Sequence, residues 1–138
     1  MNKFRIQPTI RYLDGLYRFN NIDLETKFLA LPLGKHSKCY CIEVEELEVG
    51  VLVLDRLPDG NNLVIYELFI LDQFRRQGIG SSILCEVEFI ARREGFLRIA
   101  LCSIPLDNDI SKNDLLKFYE NHGYKQVRNV PNDLYKTL

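Results

Sequence analysis

The chain has 138 residues, 46% of them hydrophobic and 27% charged, with a formal net charge of -1 at pH 7. That length fits one domain, residues 1–138, able to bury a core without metal or disulfide staples. The near-neutral balance argues against nucleic acid or an anionic membrane as partner, so any anion site must be local.

The N-terminus, MNKFRIQPTIRYL, has no continuous apolar core of a signal peptide, and no later run is long enough to span a bilayer. A cytoplasmic location is expected on that ground. Phe4 to Pro8 alternates and is stopped by proline, which predicts a short first strand. Thr9 to Phe19 and Asp23 to Leu29 carry apolar residues at helical spacing and predict two short helices, the second capped by Asn21 or Asp23. Leu31 to Ser37 breaks the pattern and reads as a loop.

KCYCIEVEE and VGVLVLD predict two strands, with the turn near Leu47, Glu48 and Gly50. Leu57 to Asn62 has turn chemistry, and the apolar run Leu63 to Leu71 predicts a central strand covered on both faces. Gly78 to Glu94 is the clearest helix. Ile79, Ile83, Val87 and Ile90 form its inner stripe, Leu84 and Ala91 widen it, and Gly95 closes it.

FLRIALCSI is a further apolar strand. A helix from about Asn113 to His122 is expected, capped by Ser111 with Asp114 and ended by Gly123. YKQVRNV and DLYKTL predict two last strands around a Pro-Asn turn. This order predicts a mixed α/β (α+β) domain with one sheet and helices on its faces.

Of the four cysteines, Cys39 and Cys41 alternate onto one face of a strand. His36 and His122 match no zinc spacing, so no metal site is expected. The chemistry concentrates at DQFRRQGIGSSIL, residues 72–84, where a basic loop enters a helix through two glycines. A helix N-terminus exposes unpaired N–H groups and the positive end of its dipole, and glycine admits an anion to the backbone. The stretch lacks GxxxxGK[ST] and the third glycine of the dinucleotide fingerprint. Local chemistry alone leaves a glycine turn with solvated arginines as the alternative to a phosphate site.

ELFILDQFRRQGIGSSIL resembles the central strand, Arg/Gln-x-x-Gly-x-Gly turn and helix of the GNAT superfamily of acetyl-CoA-dependent N-acetyltransferases. NDLLKFYENHGYKQV, with Asn113, Tyr119, Gly123 and Tyr124, resembles the family's second motif, and DLYKTL its final strand. The usual proline before the turn is replaced by Leu71-Asp72-Gln73-Phe74. Residues from about 50 onward carry the match; the first 50 agree only in the order of elements.

The resemblance implies a central, mostly antiparallel sheet of about six to seven strands, helices on both faces and a splayed pair of central strands. It implies acetyl-CoA as cosubstrate, with Arg75, Arg76, Gln77, Gly78, Ile79, Gly80 and Ser81 around its pyrophosphate. Backbone groups of Phe69, Ile70 and Leu71 would hold the pantetheine arm, with Asn113 bonding it as well. Tyr119 corresponds to the tyrosine that protonates the departing thiolate.

Glu67, a charged residue inside the apolar strand, is the candidate base; a rim ion pair, or a water chain serving as base, stays open beside it. His122 is the second candidate acid or base. The implied function is acetyl transfer to a primary amine: a small molecule, a peptide N-terminus or a lysine. Two alternatives stand next to it. One is a toxin-type enzyme acting on aminoacyl-tRNA, and the other a non-catalytic coenzyme A-binding module. Exposed strand edges permit a homodimer.

Overall fold

The computed structural model describes residues 7–14, 19–58, 60–103 and 111–138. In chain order they form β1 (Thr9–Leu13), α1 (Ile22–Ala30), β2 (Ser37–Val44), β3 (Leu47–Arg56), β4 (Asn62–Ile70), α2 (Ile79–Arg93), β5 (Arg98–Cys102), α3 (Lys112–Asn121), β6 (Lys125–Gln126) and β7 (Asp133–Thr137). A single 3-10 turn, Asp72–Phe74, links β4 to the basic loop. The strands make one seven-stranded sheet in the order β1-β2-β3-β4-β5-β7-β6. Only β4 and β5 run parallel, so the sheet is mixed and mostly antiparallel, as expected.

Both sheet faces are covered. The stripe of α2, with Ile79, Ile83, Leu84, Val87, Ile90 and Ala91 all buried, packs on Leu52, Leu54, Leu63, Ile65 and Ile99. Tyr119 of α3 joins that core. On the opposite face, Leu24 and Phe28 of α1 meet Cys39, Cys41, Val51 and Val53. Asn21 starts α1, its side chain accepting from the N–H groups of Asp23 and Leu24 at 3.0 Å. The two buried cysteines are core residues, and burial pushes each thiol up to about 12.

Three expectations are corrected, and a fourth lies mostly outside the described residues. The helix expected over Thr9 to Phe19 is in its first part strand β1, paired with β2 from Thr9↔Glu43 to Leu13↔Cys39. Thr9, Ile10 and Tyr12 are β-formers, and Arg11 is held across the strands by Glu43 at 2.7 Å. The strand expected at Phe4 to Pro8 lies mostly outside the described residues, and Gln7 and Pro8 are not in a strand.

The hairpin between β2 and β3 turns at Glu45 and Glu46, with φ of 49° and 70°, and not at Leu47 to Gly50. Two positive φ values suit a tight hairpin turn, but glutamate is a poor signal for one. Gly50 instead lies within β3, where a Cβ would stand 2.3 Å from the Phe69 carbonyl oxygen. Last, YKQVRNV contributes only Lys125–Gln126 as strand; Asn129 and Asn132 take positive φ and hold the following segment as a loop.

A bulge in β4 sets up the site. Leu54 pairs with Ile65 and Val53 with Glu67, so Tyr66 is the extra residue. Leu63 and Ile65 face α2, and without the bulge Glu67 would follow them. With it, Leu68 and Ile70 take the α2 face while Glu67 and Phe69 turn toward α1. Pairing of β4 with β5 ends at the same place, at Ile65↔Leu101. Beyond it the outer edge of Tyr66 to Ile70 is left without a β5 partner, which is the expected splay.

Candidate active site

The splay opens into a cleft of about 660 Å³. One wall is the end of β4 with the basic loop and the start of α2: Leu68, Ile70, Asp72, Phe74, Arg75, Arg76, Gly78, Ile79, Gly80 and Ser81. The other is the first turns of α3: Ser111, Asp114, Leu115, Phe118 and Tyr119. Ser111 caps α3 by accepting from the Asp114 N–H at 3.1 Å, which fixes where that wall begins.

The floor of the cleft at the basic loop is the N-terminus of α2. Its N-cap is Gly78, at φ 80°, and no side chain among the described residues caps the helix. The first N–H groups of a helix have no partner within it, so they face the cleft as free donors backed by the helix dipole. Arg76 and Gly78 both have positive φ, bending the loop tightly into the helix. Gly80 sits against Phe118: a Cβ there would lie 3.1 Å from Phe118 Cζ. The Phe118 ring is hemmed by Tyr119 at 5.2 Å and His122 at 4.8 Å between centroids, so it has little room to yield.

The two arginines differ. Arg75 points back along β4, its Nε donating to the Ile70 carbonyl at 2.8 Å, its guanidinium 5.3 Å from the Phe69 ring centroid. It braces the loop as much as it charges it. Arg76 is exposed at the rim. Gln77 is exposed and does not line the cleft; its Nε2 donates to the Gln73 carbonyl at 3.4 Å.

Along β4, the Leu71 N–H donates to the Val49 carbonyl at 2.9 Å and is turned into the sheet. Strand alternation then points the backbone groups of Ile70 and Leu68 outward. Among the three residues expected to meet the pantetheine, Ile70 lines the cleft while Phe69 and Leu71 do not. Asn113 is exposed and also outside the lining, though its neighbours in sequence Ser111 and Asp114 belong to it.

Tyr119 is 5% exposed and reaches the cleft from α3. Burial raises its phenol well above the ordinary value, and the negative charge of Glu67 adds to the effect. The two candidate residues are thus close enough to feel each other across the splay. Glu67 is half-buried; burial raises its carboxyl, while Lys27 and a hydrogen bond from the Leu68 N–H pull it down. Lys27 comes from α1, its Nζ 3.9 Å from the Phe69 ring centroid.

Lys27, Leu68, Phe74, Leu115 and Phe118 escaped the sequence reading as site residues. An apolar residue on a strand, turn or amphipathic helix carries no local mark of the cleft it lines, and Lys27, outside the lining, carries none of its reach to Glu67. Leu115 and Phe118 are the exceptions, both lying within the second motif, Phe118 one residue before Tyr119.

Residues 35–126 match the family model described as acetyltransferase (GNAT) domain. The match spans most of the chain, and the protein belongs to that family of acetyltransferases. Among solved structures, the fold is similar to a GNAT family acetyltransferase from Elizabethkingia anophelis with acetyl-CoA bound. The TM-score is 0.69 and the identity 15%, over 96% of this chain and 99% of that one. A GNAT family acetyltransferase from Staphylococcus aureus Mu50 gives 0.69 and 15%, over 95% and 99%. Arabidopsis thaliana Naa50, in complex with the bisubstrate analogue CoA-Ac-MVNAL, gives 0.62 and 19%, over 96% and 100%. Comparison with curated protein sequences returns no match. Among the described residues no helix is long and apolar enough to cross a membrane, and no group of three or more His, Cys, Asp or Glu side chains is placed to hold a metal.

Proposed function

We propose that the chain, as a single catalytic domain over residues 1–138, transfers an acetyl group from acetyl-CoA to a primary amine by direct attack. The observation that carries the reading is the uncapped N-terminus of α2, opening through Gly78 and Gly80 into a cleft that Tyr119 also lines. The residues fit the cosubstrate: the free N–H groups of α2 suit a pyrophosphate, and the close approach at Gly80 leaves the space that a Cβ would fill. When bound, acetyl-CoA supplies an activated acetyl thioester.

The outward backbone groups of Leu68 and the N–H of Ile70, whose carbonyl already accepts from Arg75, suit an extended pantetheine arm, added as a strand would be along the unpaired β4 edge. An N–H at this edge polarises the thioester carbonyl as its oxygen gains charge. Glu67 takes the proton that the amine must lose. Its environment favours that task, since burial strengthens it as a base while Lys27 works in favour of its ionised form. Tyr119 gives a proton to the departing sulfur.

The two steps assist each other. Burial is the main reason the phenol holds its proton; the charge on Glu67 is the second. Once Glu67 has accepted the amine's proton that charge is gone, and the phenol donates more readily. The relatives with acetyl-CoA or a CoA-peptide analogue bound support the choice of cosubstrate and an amine acceptor.

The test is acetyl transfer to a panel of small amines, peptide N-termini and lysine peptides, read by mass spectrometry. Tyr119→Phe should lower turnover on the preferred amine by roughly a hundredfold or more, while acetyl-CoA binding stays within a few-fold. Unchanged turnover would remove Tyr119 from the mechanism. Absence of transfer to every amine, with tight acetyl-CoA binding, would favour a binding module.

A further inference from the structure

Beside the cleft, Ser81 and His122 form a hydrogen-bonded chain that the acetyl transfer just described does not use. His122 Nδ1 lies 2.7 Å from the Phe118 carbonyl oxygen, and His122 Nε2 lies 2.9 Å from Ser81 Oγ. Ser81 lines the cleft, in the first turn of α2.

The proton positions follow from the partners. A carbonyl oxygen only accepts, so Nδ1 carries the hydrogen. In a neutral imidazole Nε2 is then bare and must accept, which takes the Ser81 hydroxyl proton away from the cleft. In an imidazolium Nε2 donates to Ser81 Oγ, and the hydroxyl proton is free to turn into the cleft. A phosphate oxygen there can only accept. The neutral imidazole and a bound phosphate therefore compete for one proton.

We infer that His122 is a positioning residue for the phosphate site, its protonation aiming the Ser81 hydroxyl at the bound pyrophosphate. The inference rests on the cosubstrate reading above. Binding then draws a proton onto His122, and affinity rises as pH falls. Lys136 of β7 donates to the His122 carbonyl at 2.8 Å and is itself held by Glu88 of α2 at 2.6 Å. On the cleft side stand Arg75, Arg76, Asp72 and Asp114.

Calorimetry with dephospho-coenzyme A tests this, because its pyrophosphate diester keeps a constant charge from about pH 5.5 to 8 while imidazole titrates. Wild type should bind roughly tenfold more tightly at the acid end, the worth of one charge-assisted hydrogen bond, with proton uptake seen as a dependence on buffer ionisation heat. His122→Gln and Ser81→Ala should each flatten the profile. If either variant keeps the wild-type slope, or if wild type has none, the inference fails while the coenzyme site stands. Absence of binding at every pH would remove both.

A second measurement needs no variant. The chain has two histidines, so nuclear magnetic resonance can follow His122 with His36 as reference. At pH 7 ligand should move the His122 ring nitrogen resonances toward the imidazolium pattern and leave those of His36 in place; an unmoved His122 overturns the inference.

Discussion

At the scale of single residues, Glu67, the proposed base, is the position on which environment bears most. A carboxylate inside an apolar strand signals either pairing or chemistry, and the sequence alone leaves both open. What it hides is Lys27, distant in the chain and brought over β4 by α1. Lys27 pulls the Glu67 carboxyl down against the larger effect of burial, which raises it. Lys27→Met should therefore let the carboxyl rise further. A base must be ionised, so the acid limb of the kcat/KM profile should move to higher pH and activity at pH 6 should fall more than at pH 8. Rate measurements across that range check it; an unmoved limb would point to a water chain as the base.

At the scale of elements, helix α2 was the most legible. Its stripe of Ile79, Ile83, Val87 and Ile90, its glycine entrance and its basic last turn all agree on one helix in one orientation, and all four stripe residues are buried. Ile83 is 1% exposed in the core beneath β4 and β5. Ile83→Ala should cost about 2–5 kcal/mol by lost burial and a residual cavity, measurable by denaturant unfolding.

Strand β1 was misread because an exposed edge strand shows weak alternation, and a few apolar residues at mixed spacing also fit a helix. The bulge at Tyr66 was illegible for a related reason. Nothing in LVIYELFI marks where an extra residue enters, yet it decides that Glu67 turns toward α1 instead of following Ile65. The bulge and the end of β4–β5 pairing coincide, so one local irregularity both opens the cleft and redirects the candidate base.

At the scale of the whole molecule, sheet class, helices on both faces and the splay were legible because the two motifs lie on the elements that make the splay. Tyr119 and the Gly78 to Ser81 turn are far apart in sequence, and the fold brings them to one cleft. Asn113, Gln77, Phe69 and Leu71 were named by the same motifs but do not line it, since a motif fixes a segment and not which of its groups faces inward. The central claim is that the α2 entrance is a coenzyme cradle whose space depends on Gly80. Its most direct test is calorimetric titration of acetyl-CoA into wild type and Gly80→Val, with circular dichroism as the check on folding. Wild type should bind and the folded variant should lose at least roughly tenfold in affinity, because the added side chain meets the hemmed-in Phe118 ring and the approaching phosphates. Equal binding by the two proteins, or none by wild type, would contradict the claim.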